Sequence, residues 1–257
     1  MNIGFIGTGE ISAAVIEGML LENPSRTIVI SPRSASVSSE LAARHASVTR
    51  ALDNQSVVDA SDVVCLGIRP QQAREIIAPL RFRPDKILVS FIAGASTEEL
   101  RNLLPEPRAI CRVTPLPMIA RRQGPILLYP DEPVVRDLFA PLGDLIVADS
   151  GDQMAAYGVA SGAMSSFFVQ MLVAIDWLAE HGVPREGARD YMMSMMSALG
   201  QTGARTNVAD LTDLPRRHET VGGLNEACRE KLSATGWFTA YADGLVAVRK
   251  RSAELSE

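Results

Sequence analysis

Met1-Asn-Ile-Gly-Phe-Ile-Gly-Thr-Gly-Glu-Ile-Ser-Ala-Ala-Val-Ile-Glu-Gly-Met-Leu20 is the stretch whose reading decides the fold. Asn2 to Ile6 is short, apolar and β-prone, which suits a strand buried on both faces. Gly7-x-Gly9-x-x-Ser12 follows, and with it begins a run at helical spacing (Ile11, Val15, Ile16, Met19, Leu20). Strand, glycine turn and helix in that order form the phosphate cradle of a dinucleotide-binding unit. Gly7 permits the tight turn, Gly9 lets a pyrophosphate approach the backbone, and Ser12 is small enough for close helix–strand packing. The helix N-terminus adds N–H donors and positive potential, so Thr8, Glu10 and Ile11 join the two glycines as expected cofactor contacts. Glu10 fits badly, because its carboxylate repels phosphates unless it turns to solvent. The plain alternative is a glycine turn that binds nothing.

Composition narrows the rest. A chain of 257 residues can bury one sizeable domain and a smaller second one. Net charge of −5, a pI near 5.4 and the lack of a basic stretch argue against nucleic acid. The basic residues are mostly arginine; Lys86, Lys231 and Lys250 are the lysines. Cys65, Cys111 and Cys228 show neither CxxC nor disulfide spacing, so reduced thiols in a cytoplasmic protein are expected, and no metal site. The opening has no basic region and carries Glu10 and Glu17, unlike a signal peptide. No apolar run is expected to reach the roughly 18 residues of a membrane span, so the protein is read as soluble and not membrane-bound.

Thr27 to Ile30 reads as the second strand, ending in Ser31-Pro-Arg33-Ser34. An NAD enzyme carries an acidic residue near this strand end, about 20 residues beyond the glycine turn, to bind the ribose 2′-hydroxyl. Here hydroxyls and a guanidinium stand instead, which suits a 2′-phosphate. NADP(H) is therefore expected over NAD(H), with Ser31, Arg33 and Ser34 as contacts. A solvated loop arginine is the bland reading.

Strands at 62–68, 86–92, 109–113 and 126–129 alternate with helices near 54–60, 71–80 and 97–104. Such alternation predicts an α/β chain: a Rossmann-type, doubly wound parallel sheet over residues 1–150. Its cofactor crevice falls at the strand carboxyl ends, at Ile68, Arg69, Pro70, Ala93, Gly94, Thr114 and Pro115. From about 151 to 257 strand signals nearly vanish, and an all-helical dimerisation and substrate domain is expected. Helices are read over 154–180, 185–200, 223–234 and 238–253, with Gly158 and Gly162 as the sole break signals in the first. Met192, Met193, Met195 and Met196 point to helix or subunit packing, hence a homodimer or a larger homo-oligomer. Thr220-Val-Gly222-Gly223-Leu-Asn225 is a second glycine turn opening a helix, and so a second candidate anion cradle.

The order of landmarks resembles the pyrroline-5-carboxylate reductase family over nearly the whole chain. It is carried by Ile3-Gly-Phe-Ile-Gly-Thr-Gly9, Val64-Cys-Leu-Gly-Ile-Arg-Pro-Gln71, Val89-Ser-Phe-Ile-Ala-Gly94 and Cys111-Arg-Val-Thr-Pro115. It continues through Ala160-Ser-Gly162, Glu180-His-Gly-Val-Pro-Arg-Glu186 and Gly222-Gly223. The resemblance implies NAD(P)H-dependent reduction of a cyclic imine to proline, with a helical dimerisation domain and the active site at the subunit interface. It also implies that Gly222, Gly223 and Leu224 lie on the substrate carboxylate, with Ser165 nearby. Thr220, Asn225 and Ser161 become the candidate catalytic groups.

The departures fall on the chemistry. The family's Lys-Pro is Arg69-Pro70, its Met-Pro-Asn-Thr is Thr114-Pro115-Leu116-Pro117, and its Ser-Pro-Gly-Gly-Thr-Thr loop is Thr220 to Asn225. Leu224 hints at a larger or more apolar substrate. Reduction of a preprotonated iminium needs no strong general acid, which suits a chain without a His/Asp dyad. His218 is read mainly as a surface residue. β-Hydroxyacid dehydrogenases share the layout but need a catalytic lysine on the interdomain helix, and no lysine lies between Lys86 and Lys231. Reduction of a bulkier imine or keto compound stays open, as does a non-catalytic NADP(H)-binding regulator.

Overall fold

A computed structural model describes residues 1–104 and 106–254. The chain forms two compact units: Met1–Gly158, joined by the chain end from Lys250, and Val159–Arg249.

The first unit is built on eight strands: Ile3–Ile6 (β1), Ile28–Ile30 (β2), Val48–Arg50 (β3), Val63–Leu66 (β4), Ile87–Ser90 (β5), Ala109–Thr114 (β6), Pro125–Tyr129 (β7) and Asp144–Val147 (β8). Their order in the sheet is β3-β2-β1-β4-β5-β6-β7-β8. Between them run helices Glu10–Glu22 (α1), Ala35–Arg44 (α2), Asn54–Ala60 (α3), Pro70–Ile77 (α4), Thr97–Leu103 (α5) and Pro133–Phe139 (α6). β1, β4 and β5 are buried along their whole length, as central strands covered on both faces must be. One face packs Ile3, Phe5, Val15, Ile16 and Phe139; the other packs Ile6, Val64, Leu66, Ile77 and Leu88.

The expectation of a parallel sheet needs one correction: β7 runs antiparallel to β6. Only ten residues link them, holding a short 3₁₀ turn at Pro117–Arg121, and a parallel return takes a longer crossover. α6 supplies such a crossover between β7 and β8, which pair in parallel. Sequence reading found neither α6 nor β8; β8 is only partly buried, so its apolar signal is weak.

Lys86 is 2% exposed, and its ammonium donates to the carbonyls of Ser61 and Asp59 at the end of α3. Those last carbonyls of a helix are where a cation is favoured.

The remaining helices are Gly151–Ser161 (α7), Met164–Glu180 (α8), Arg185–Arg205 (α9), Leu214–Arg217 (α10), Leu224–Ala234 (α11) and Trp237–Glu254 (α12). The long helix expected from 154 is interrupted at Gly162 and Ala163. A Cβ on Gly162 would lie 2.7 Å from Val248 Cγ1, so glycine permits α12 to approach there.

A second correction concerns hydropathy. Gly151–Glu180 contains an 18-residue window of mean hydropathy 1.6, long and apolar enough to cross a membrane, contrary to the expectation that no such run exists. Most of that window is exposed in the single chain. Its inner face packs Met171 and Ile175 on Ala188 and Met192 of α9. The outer face shows Phe168, Leu172, Val169, Val173 and Trp177, apolar residues repeating every four positions.

Candidate active site

The β1–α1 turn is locked by its neighbours. Gly7 has φ +89°, and a Cβ there would meet the Gly67 carbonyl oxygen at 2.5 Å and Ile68 Cγ2 at 2.7 Å, so only glycine fits. The Gly7 N–H donates to Ser31 Oγ (3.0 Å), and buried Thr8 donates its hydroxyl to the Arg33 carbonyl (2.8 Å). Ser12 Oγ is buried against Gly67, where any Cβ would come within 1.9 Å of it. Small residues at 12 and 67 thus let α1 sit close to the end of β4. Gly9 caps α1, and nothing lies within 4 Å of where its Cβ would stand. Among the described residues no acceptor takes the N–H groups of Gly9, Glu10 and Ile11. An open glycine followed by free N–H groups at a helix N-terminus fits a pyrophosphate. Glu10 is exposed at the first position of α1, with room to turn away from an anion, and Ile11 is half-buried behind it.

The loop after β2 divides its labour differently from expectation. Ser31 is fully buried and its oxygen holds the Gly7 N–H, so its side chain ties the two loops together. Arg33 and Ser34 are exposed. Ser34 caps α2 with φ 59° and ψ 57°, left-handed values that cost a non-glycine residue about 1–2 kcal/mol, and its hydroxyl makes no cap bond. Arg50, at the end of the adjacent β3, donates to the Pro32 carbonyl (3.3 Å). Sequence reading passed over Arg50; the parallel register Ile30↔Arg50, which puts it beside this loop, is the signal that was missing.

The other predicted cofactor residues occupy the same edge of the sheet. Ile68 and Arg69 lead from β4 into α4, where Pro70 takes the first position. Gly94 follows β5 with φ +80°, and exposed Ala93 precedes it. Thr114 ends β6 half-buried, while Pro115 beyond it is buried. Pro70 and Ala93 share the lining of a cavity of about 750 Å³ between α4 and α5, with Arg74, Ile92 and Leu103.

The second unit groups the substrate candidates less tightly. Ser161 closes α7 and Ser165 is exposed in the first turn of α8. Thr220, Gly222, Gly223, Leu224 and Asn225 form the loop and first turn of α11, and Leu224 is 91% exposed. The glycine pair does not offer its own N–H groups freely. Gly222 donates to the Glu226 carboxylate (2.6 Å) and Gly223 to the Thr220 carbonyl (2.7 Å). The Asn225 amide donates to the His218 carbonyl (2.6 Å), so it braces the loop. What remains for an anion are the N–H groups of Leu224 and Asn225 at the helix N-terminus. Sequence reading overlooked Glu226, although a carboxylate three positions into a helix commonly folds back onto the preceding N–H groups.

Elsewhere, burial pushes the Cys65 thiol well up, and burial with the Glu132 carboxylate raises Cys111 to about 12. Neither suits a nucleophile. Among the described residues no three His, Cys, Asp or Glu side chains group to hold a metal ion.

Residues 2–94 match the family model described as NADP oxidoreductase coenzyme F420-dependent. The pyrroline-5-carboxylate reductase of Pseudomonas aeruginosa is 28% identical over 268 residues, covering 100% of this chain and 97% of the relative. Over its whole length the chain is similar to the pyrroline-5-carboxylate reductases. Two solved members of that family share its fold. The Streptococcus pyogenes enzyme superposes with a TM-score of 0.84 at 21% identity, over 99% of this chain and 98% of that one. A Plasmodium falciparum pyrroline carboxylate reductase with NADP bound gives 0.85 at 14% identity, over 100% and 98%. The likeness runs through both units from end to end, the loop at 220–225 included.

Proposed function

We propose that this chain is an NADPH-dependent oxidoreductase acting on a CH–NH bond, reducing pyrroline-5-carboxylate or a close cyclic imine to a proline-type product. Residues 1–150 take the role of cofactor domain, and 151–257 that of the substrate and dimerisation domain. The observation that carries the reading is the locked Gly7–Gly9 turn, open at Gly9 and standing beside an exposed guanidinium loop with no acidic residue. NADP is named as bound in the similar Plasmodium falciparum structure.

The bound nicotinamide supplies a hydride. The chain's own task is to bind, orient and keep water away. Gly9, Glu10 and Ile11 present N–H groups to the pyrophosphate, and Arg33 and Ser34 the positive edge for the 2′-phosphate. Ile68, Arg69, Pro70, Ala93, Gly94, Thr114 and Pro115 border the path of the nicotinamide half. An iminium carbon accepts the hydride, its C=N π pair becomes the nitrogen lone pair, and the proton already on nitrogen stays there. No side chain need donate a proton during transfer, so Ser161, Ser165, Thr220 and Asn225 act by orienting, and the N-terminus of α11 by holding the carboxylate.

A larger imine is the second reading, favoured by Leu224, Val221 and the Glu226 carboxylate lying where a small anionic ring would be gripped. The exposed stripe on α8 is best covered by a second copy of the chain, giving a homodimer, and the cytoplasm is the compartment that suits its unpaired cysteines.

The direct test is oxidation of NADPH by purified protein with pyrroline-5-carboxylate, then with a panel of cyclic imines and α-keto acids. Turnover of the first supports the main reading, and turnover only of bulkier imines the second. NADPH binding without any turnover points to a regulator. Gly9→Asp should weaken NADPH by about 100-fold or more, since it sets a carboxylate against the pyrophosphate without crowding the fold. Unchanged binding would remove the cofactor from this turn.

A further inference from the structure

The end of β3 carries a group that neither motif nor resemblance singles out. Arg50 lies beside the loop that ends β2, because the two strands are parallel with Ile30 opposite Arg50, and Ala51 N–H donates to the Ile30 carbonyl. Its guanidinium reaches over to donate to the Pro32 carbonyl at 3.3 Å, one residue before Arg33. One N–H is thereby anchored while the others stay exposed. Among the described residues no carboxylate lies within ion-pair distance of either Arg33 or Arg50. The nearest acidic residue in sequence, Asp53, is occupied in capping α3, where it accepts from the Ser56 N–H and hydroxyl at 2.7 Å each. Two exposed guanidinium groups without a counter-charge therefore belong to this loop and to the strand end beside it, where Ser34 follows Arg33 with a left-handed backbone and an uncapped hydroxyl. The loop itself is fixed from beneath by Thr8 and Ser31.

We infer that Arg50 is the second guanidinium of the 2′-phosphate site and sets the preference for NADPH over NADH. A dianionic phosphate is gripped best by more than one fork of N–H donors, and an arginine anchored on a carbonyl surrenders little side-chain freedom on binding. This rests on the reading of the Gly7–Gly9 turn as an NADP(H) site.

The test is equilibrium titration of the full chain with NADPH, NADH and adenosine 2′,5′-bisphosphate by calorimetry. Arg50→Ala is expected to weaken NADPH and the bisphosphate about tenfold while NADH changes less than twofold. Arg50→Gln should match it, and Arg50→Lys should fall between. All three should melt with wild type, since Arg50 makes one side-chain bond to the fold. The salt dependence of NADPH binding should flatten in Arg50→Ala and not in Arg50→Lys. An unchanged NADPH-to-NADH ratio in Arg50→Ala and Arg50→Gln overturns the role while leaving the cofactor site standing. Failure of wild type to bind either nucleotide overturns both.

Discussion

Helices α1 and α11 each open on a turn with two glycines, and the two turns are built in opposite ways. At Gly7–Gly9 the backbone is wedged against Gly67 and Ile68, and Ser31 takes the Gly7 N–H, leaving those of Gly9, Glu10 and Ile11 free among the described residues. At Gly222–Gly223 the loop stands in the open and its glycine N–H groups are taken by Glu226 and Thr220. A turn with external rigidity can leave donors unpaired for a ligand, whereas a turn without it must satisfy its own donors to keep its shape. The first is preorganised; the second is self-satisfied. It follows that the first turn can receive an anion as it stands, whereas the glycines of the second must give up a bond to do so.

Alanine at Gly7 and at Gly222 should separate the two turns by the widest margin. Gly7→Ala combines a left-handed backbone with a clash on the Gly67 carbonyl and should lower stability by about 3 kcal/mol in urea unfolding. Gly222→Ala has a φ of +70° but nothing within 4 Å, so its loss should be about 1 kcal/mol. Equal losses would mean that the two turns are held alike.

A smaller effect is expected at Glu226. Its replacement by alanine removes a carboxylate from the Gly222 N–H, so KM for pyrroline-5-carboxylate should fall roughly threefold while KM for NADPH stays put. Steady-state kinetics with both substrates varied would show it, and a raised KM would mean that Glu226 serves the substrate.

The least perturbing probe is the thiols. Cys65 and Cys111 lie in the buried sheet, whereas Cys228 is exposed on α11. Native protein should yield one fast-reacting thiol in colorimetric titration and all three in denaturant, because thiolate formation at the buried pair is opposed by desolvation. A second fast thiol would show that the sheet opens.

Much of this was legible in the residues. Alternating apolar runs and glycine turns announce the sheet, since strands covered on both faces must be apolar throughout; Val63–Leu66 and Ile87–Ser90 are read without ambiguity. The antiparallel β7 was hidden because strand direction depends on connection length, and the residues of 117–121 do not advertise how short that connection is. At the site, glycines were legible because φ and close approach restrict them to one residue type. The strut role of Ser31 was hidden for the opposite reason: a serine suits a ligand contact and a buried strut equally, and the 3.0 Å bond from Gly7 is seen only in the fold. Arg50 and Glu226 were invisible in sequence because each matters through a neighbour, one across a strand pairing and the other back along a helix turn.

The burial of Lys86 has a practical sequel. Its ammonium is sealed beneath the end of α3, so amine-directed reagents at neutral pH have only the N-terminus, Lys231 on α11 and Lys250 on α12 to attack. None of these lies in the Gly7–Gly9 turn or in the loop after β2. A fluorophore or surface tether attached through amines would therefore leave both loops chemically intact, which suits the protein to immobilised binding measurements.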